Sequence, residues 1–334
     1  MPLPRLAALS LLWNKACTNV AFDINTKPQR LERVIETQTA SERQSLRIKP
    51  KLTSGKILQR ILKLSNMKVC IIGLGQIGLP VAQYVHTKGF QVWGYDINPK
   101  TVERVRKERN LKLTSEWKDI PPAETYIICV ATSQADGKPD LSAVFEVCKK
   151  ISQKANPGAL ISIESTIIPG TSRKIFEDIF KRKSNLVHVP HRYWADDPVN
   201  HGVNQIRVIG AVNSQSLEAG LKFYQEDLGI PLHEVSSIET AEMCKITENS
   251  HRYLQIAFAE ELKMMCSRIG LDFEELRKAL NSKWNVDMPE AREGIGRHCL
   301  PKDIKYLTSL TPSALLESAI NVDREYREWL SKKQ

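Results

Sequence analysis

The chain has no CxxC pair and no cysteine–histidine cluster at the spacing of a zinc module. Its seven cysteines stand apart, at positions 17, 70, 129, 148, 244, 266 and 299. That scatter excludes a disulfide framework and suits a reducing compartment, the cytoplasm. Cys70 and Cys129 fall inside apolar runs, where a thiol is a small core residue. No internal repeat is present, which excludes a solenoid or a propeller. Long apolar runs are also missing. The stretch Leu6–Trp13 is too short to span a bilayer, and no clean small-residue cleavage site follows it. No membrane partner is therefore expected.

An even spread of positive charge is lacking too. The net charge is +10, but residues 1–66 hold 12 Lys and Arg against 4 Asp and Glu. The remaining residues hold 36 against 34. The body is nearly neutral, so the basic balance does not signal a nucleic-acid partner. Residues 1–66 carry no motif and little periodicity. They are expected to be a basic extension, poorly ordered and dispensable, with the fold opening at Met67.

What the chain does have is a strand–helix alternation that starts at Met67. Short apolar runs at Lys68–Ile72, Gln91–Tyr95, Thr125–Val130, Ala159–Ile163, Leu186–Val189 and Arg207–Val212 predict buried strands. Helical patterns lie between them, including Gln76–Lys88, Pro99–Arg109, Ser142–Ser152 and Thr171–Lys183. This predicts an α/β fold, a doubly wound parallel sheet over residues 67–213. After about Ser214 helix dominates, with a long run from Thr240 to Ile269 and others at Asp272–Leu280 and Ser313–Leu330. Residues 214–334 are expected to form a helical substrate and dimerisation domain.

The turn after the first strand reads Gly73-Leu-Gly75-Gln76-Ile77-Gly78. The first glycine permits the tight turn, the second lets a pyrophosphate approach the backbone, and the third lets helix pack on strand. Asp96 ends the next strand, where a carboxylate accepts the ribose hydroxyls of NAD and repels the extra phosphate of NADP. The expected cofactor is NAD in a Rossmann domain. Thr132 and Thr166 join the turn and Asp96 as expected cofactor contacts.

Far downstream stands Gly294-Ile-Gly296-Arg297-His298-Cys299-Leu-Pro301-Lys-Asp303, which looks like a thiol nucleophile in a glycine-rich loop. Such a thiol can capture an aldehyde as a thiohemiacetal and so permit a second hydride transfer. Lys245 and Asn249 share a helical face, where a cation and an amide can hold an oxyanion. Asp303 follows Cys299 by one helical turn and can order water or act as a base, with Thr166 bonding that water. Cys244, beside Lys245, points elsewhere and is expected in the core.

Together with Ile163-Glu164-Ser165-Thr166-Ile-Ile-Pro169-Gly170 and Ala241-Glu242-Met-Cys-Lys245-Ile-Thr-Glu248-Asn249, these motifs resemble the nucleotide-sugar dehydrogenases. This is the family of UDP-glucose and UDP-N-acetylmannosamine 6-dehydrogenases, and the resemblance runs from Met67 to about Leu307. It implies oxidation of a UDP-hexose or UDP-N-acetylhexosamine primary alcohol to the uronate, with two NAD consumed per sugar. It implies the catalytic roles above for Cys299, Lys245, Asn249, Asp303 and Thr166, and a homodimer built on the long helices. It implies no metal.

Three departures from the family pattern stand out. His191 occupies the place of a glutamate that helps hydrolyse the thioester, in Pro190-His191-Arg192-Tyr193-Trp194. A histidine can serve as a base near neutral pH. Arg297 replaces a glycine before the cysteine. The further α/β domain into which relatives continue, and which helps hold the nucleotide, is expected to be missing. Two other readings stay open. A hydroxyacid or 6-phosphogluconate-type dehydrogenase shares the turn and the Lys/Asn pair but makes one hydride transfer without a thiol. A non-catalytic relative would bind the nucleotide without turnover.

Overall fold

A computed structural model describes residues 62, 64–106, 111–135, 138–296 and 298–333. The chain divides into two units, Met1–Lys63 and Leu64–Gln334. The expected basic arm falls outside the described residues but for its last few, and Arg297 lies outside them.

The strands are β1 (Lys68–Ile72), β2 (Gln91–Tyr95), β3 (Lys112–Thr114), β4 (Thr125–Ile128), β7 (Leu160–Ile163), β8 (Asn185–His188), β9 (Arg207–Ala211) and β10 (Leu232–Glu234). They form one sheet in the order β10-β9-β8-β7-β4-β1-β2-β3. All residues of β4 and β7 are buried, which is why these segments read as mainly apolar runs, broken only by Thr125 and Ser162. A separate hairpin pairs β5 (Ser133–Ala135) with β6 (Lys138–Asp140).

Helices cover both faces. On one lie α1 (Gly78–Thr87) and α5 (Ser214–Leu221), with a π-helical turn at Lys222–Asp227. On the other lie α3 (Ser142–Ser152) and α4 (Thr171–Asp178). Helix α2 (Pro99–Val105) packs beside β3 and is capped by the Asn98 side chain. Helix α4 stops short of the expected Lys183, because Lys181 and Arg182 take left-handed φ values of 49° and 61° and turn the chain back.

The expected doubly wound, mainly parallel sheet is present, with one antiparallel pairing and wider bounds than expected. The sheet is not wholly parallel, since β9 runs antiparallel to β8 before β10 resumes parallel to β9. The connection from Pro190 to Ile206 is loop rather than a crossover helix, so the chain returns in the opposite direction. The fold also overruns both expected boundaries. Leu64 is buried in the core and the Ser65 carbonyl accepts from Gln91, ahead of Met67. Beyond residue 213, β10 still joins the sheet.

The helical part opens with α6 (Ile238–Ile269), 32 residues capped by Ser237 and ended by Gly270 at φ +74°. Packed near or against it are α7 (Phe273–Asn281), α8 (Cys299–Thr308) and α9 (Ala314–Ser331). Among the described residues no helix is long and apolar enough to cross a membrane.

Candidate active site

The expected cofactor residues gather at the carboxyl ends of neighbouring strands. The glycine turn follows β1, Asp96 follows β2, Thr132 follows β4 and Thr166 follows β7. That edge is where an open α/β sheet binds its ligand. Gly73 has φ +88°, and a Cβ there would sit 2.7 Å from the Cys129 carbonyl oxygen. A Cβ at Gly78 would strike the Gly73 carbonyl, at 1.7 Å. Gly75 instead faces open space, and Gln76 beside it is exposed. Ile77 precedes the first residue of α1 and packs on the core. An anion can thus reach the backbone at Gly75 and the start of α1.

Asp96 is fastened to this turn. One carboxylate oxygen accepts from Leu74 N at 2.8 Å, and the other from Asn98 N at 2.9 Å. Each oxygen keeps a lone pair for a ribose hydroxyl. Thr132 is buried and meets the Tyr306 hydroxyl, which donates to the Ser133 carbonyl at 2.5 Å. Tyr306 belongs to α8, so the cysteine helix is anchored to the cofactor edge.

The residues expected to do chemistry lie on α6 and α8. Asn249 donates to Asp303 at 2.5 Å, joining the helices across 54 residues of sequence. Lys245 is one turn before Asn249, and Cys299 one turn before Asp303, about 6 Å along each axis. Cys299 is exposed and is the first residue of α8, not part of a loop as its flanking glycines suggested. The backbone N–H groups of Cys299 and Leu300 at this helix start can face a developing oxyanion. Asp303 is buried and both its oxygens are engaged, one by Asn249 and the other by Lys302 Nζ at 2.5 Å. As a base it would have to release one of them. Lys302 is buried over the Tyr306 ring, a placement that the sequence reading missed.

His191 sits deeper, with Nε2 against the Glu164 carboxylate. Glu164 also accepts from Tyr224 at 2.5 Å and pairs with Arg207 at 3.1 Å. All four are buried. Burial works to raise the Glu164 carboxyl, but facing His191 and Arg207 outweigh it and pull it down to about 2. Burial, then the charge of Arg207, lowers His191 to about 4, although Glu164 opposes this. His188 is lowered by burial to about 3. Lys245 is close enough to act on both histidines. Glu164, Arg207 and Tyr224 had no expected role, since each looks like an ordinary strand or helix residue.

Cys129, Glu164 and His191 bring three possible metal ligands within 4.8 Å of one another. They do not fit a metal. Arg207 already supplies the cation there, and burial holds the Cys129 thiol well above its ordinary pKa. A cleft of about 740 Å³ runs along α6, lined by Pro169, Met243, Cys244, Thr247 and His251 among others. Its stripe of α6 lies about 150° around the helix from Lys245 and Asn249. It is a different face from the reacting one. Cys244 lines this cleft half-buried rather than joining the core.

The family model for the NAD binding domain of the UDP-glucose/GDP-mannose dehydrogenase family matches residues 67–111 and 101–227. The model for the family's central domain matches residues 239–324. The chain belongs to the UDP-glucose/GDP-mannose dehydrogenase family. It is 32% identical over 268 residues to a UDP-N-acetyl-D-mannosamine dehydrogenase of Methanococcus maripaludis, covering 74% of this chain and 62% of that one. It is 31% identical over 269 residues to a UDP-N-acetyl-D-glucosamine 6-dehydrogenase of Salmonella typhi, covering 73% of this chain and 63% of the relative. A solved UDP-D-ManNAc dehydrogenase from Pyrococcus horikoshii superposes with a TM-score of 0.73 at 27% identity, over 80% of this chain and 70% of that one. The chain thus spans a little under two thirds of the length of these sequence relatives. It carries the NAD-binding domain of a nucleotide-sugar dehydrogenase, and the open backbone at Gly75 and the lone pairs of Asp96 fit that cofactor.

Proposed function

We propose that this protein oxidises the primary alcohol of a UDP-hexose or UDP-N-acetylhexosamine to the uronate through a covalent adduct on Cys299. The observation that carries this reading is the Asn249–Asp303 bond, which draws the Lys/Asn helix and the cysteine helix together. The turn at Gly75 and the Asp96 carboxylate would hold NAD, which would supply the hydride acceptor for both oxidations. Water ordered by Asp303 and Thr166 takes the proton of the sugar hydroxyl. The Cys299 thiol adds to the aldehyde carbon, and its proton leaves to water. Lys245 and Asn249 hold the resulting oxyanion. After the second oxidation, water adds to the thioester carbonyl and the Cys299 thiol departs, leaving the carboxylate. That water's proton passes to bulk water rather than to His191, which stands at the place of the family glutamate but is buried against Glu164 with its pKa lowered to about 4.

The subunit partner is a second copy of this chain, in the cytoplasm. Met243, Phe258, Met265 and Ile269 project from the cleft side of α6 and are 38%, 53%, 49% and 68% exposed. Light scattering at micromolar concentration should show a dimer, and a monomer there removes this part of the proposal.

The test of function is a panel of UDP- and GDP-sugars with NAD, read by NADH absorbance. Two NADH per sugar are expected from one of them, and Cys299→Ser should stop after at most one turnover. One NADH per substrate would move the single-hydride reading to first place. Nucleotide binding without NADH would favour the non-catalytic one.

A further inference from the structure

The segment from Met288 to Gly296 has no helix or strand of its own, yet it is fastened along its length. Asn281 holds Met288 through both backbone groups, at 2.6 and 3.0 Å. Lys263 of α6 donates to the Ala291 carbonyl at 2.8 Å, and Tyr326 of α9 donates to the Arg292 carbonyl at 2.7 Å. The tightest fixing comes last. Asp323 of α9 accepts from Ile295 N at 2.7 Å. The same carboxylate takes the Tyr253 hydroxyl at 3.2 Å and Arg327 Nε at 3.1 Å.

Gly294 completes this arrangement. It has φ +92°, and a Cβ there would meet the Arg327 guanidinium at 2.8 Å. The Arg327 side chain therefore packs flat on a backbone that only glycine supplies. Ile295 is buried and clusters with Tyr253, Ala257 and Ile304, so the clamp reaches α8 as well as α6. Asp323 is 8% exposed, whereas Cys299, four residues beyond Ile295, is exposed. A buried backbone N–H bonded to a carboxylate is among the stronger local restraints available to a loop.

We propose that Asp323 is a positioning residue for Cys299. With Arg327 stacked against Gly294, it fixes Gly294–Ile295 and thereby the register in which α8 begins. This rests on the reading of Cys299 as the nucleophile, but its test does not need turnover. Two readouts apply to the full chain. One is amide hydrogen exchange at Ile295. The other is the rate at which iodoacetamide alkylates Cys299, mapped by mass spectrometry against the other cysteines.

Asp323→Ala should speed exchange at Ile295 by roughly tenfold or more, the loss expected for a bond to a charged acceptor. It should change the Cys299 alkylation rate severalfold while NAD affinity stays at the parent value. Asp323→Asn, which keeps an acceptor oxygen, should recover most of both. If Asp323→Ala does not fold, Arg327→Met gives the same readouts, since that side chain is 46% exposed. A folded variant in which either readout stays within twofold of the parent overturns the proposal, as does an Asn variant no better than Ala. Failure of the proposed function would look different, with Cys299→Ser as active as the parent or no sugar nucleotide oxidised.

Discussion

Two acids are buried equally well in this molecule and end in opposite states. Glu164 lies at the end of β7, and Glu260 lies on α6. Neither side chain is exposed. Glu164 is met by Arg207, His191, Tyr224 and the Cys129 thiol, and its carboxyl is held at about 2. Glu260 has no hydrogen-bond partner among the described residues. Its burial, then the charge of Asp323, raises it to about 8, although Arg327 and Lys263 oppose this. The lesson is that depth alone does not set the charge of a carboxyl. The donors that other segments bring to it do.

The comparison breaks most visibly at Arg207. Arg207→Met leaves Glu164 buried without its cation and should cost about 3–5 kcal/mol in denaturant unfolding. A loss below about 1 kcal/mol would mean that the Glu164 cluster is not held by charge.

Acid should probe the same cluster from its histidines. His188 and His191 have folded pKa values of about 3 and about 4, below their ordinary value, so the native state binds fewer protons than the unfolded chain. Their stabilisation is full above about pH 6.5 and is lost as pH falls toward 4 and then 3. Glu164, lowered to about 2, adds to the loss below its own ordinary value. A decline of about 4–5 kcal/mol between pH 7 and 4.5 is expected. Stability that is flat over that range would contradict it.

Glu260 should behave in the opposite sense. Its folded pKa of about 8 is raised, so its stabilisation is full below the ordinary carboxylate pKa and is lost as pH rises through 8. Glu260→Gln should therefore gain on the parent by about 4 kcal/mol between pH 4.5 and pH 9, read as a melting-temperature difference. A constant difference would show that Glu260 does not titrate there.

The smallest effect belongs to an exposed pair. Arg173 and Glu239 meet at 2.6 Å, but their side chains are 44% and 31% exposed. Glu239→Ala should cost no more than about 1 kcal/mol, and less in high salt. A larger cost would undo the contrast between buried and exposed charge.

Much of the site was legible because its signals are local. Gly73, Gly75 and Gly78 answer a steric demand within one turn, and Asp96 ends the next strand. Lys245 with Asn249, and Cys299 with Asp303, were readable as pairs one helical turn apart. Other features were not. The Glu164 cluster draws on residues 27 to 60 positions away; His191 stands out by its place in the family pattern, but Arg207 and Tyr224 carry no pattern that singles them out. Arg207 reads as the polar start of an apolar strand, and Asp323 as one acid among many on an amphipathic helix. Cys299 was placed in a loop because glycines precede it, while the helix begins at the cysteine itself.

By itself, then, the sequence determined the alternation of strand and helix, the dinucleotide turn and the residue types available for chemistry. These follow from hydrophobic period and from backbone sterics, which act over a few residues. Only the tertiary structure decided that β9 turns antiparallel, that Asn249 meets Asp303, that Asp323 grips the segment ahead of the cysteine helix, and that one buried carboxyl has its pKa held low while the other is pushed up. Those outcomes depend on which distant donors arrive beside a group removed from water, and a chain read residue by residue does not contain that distance.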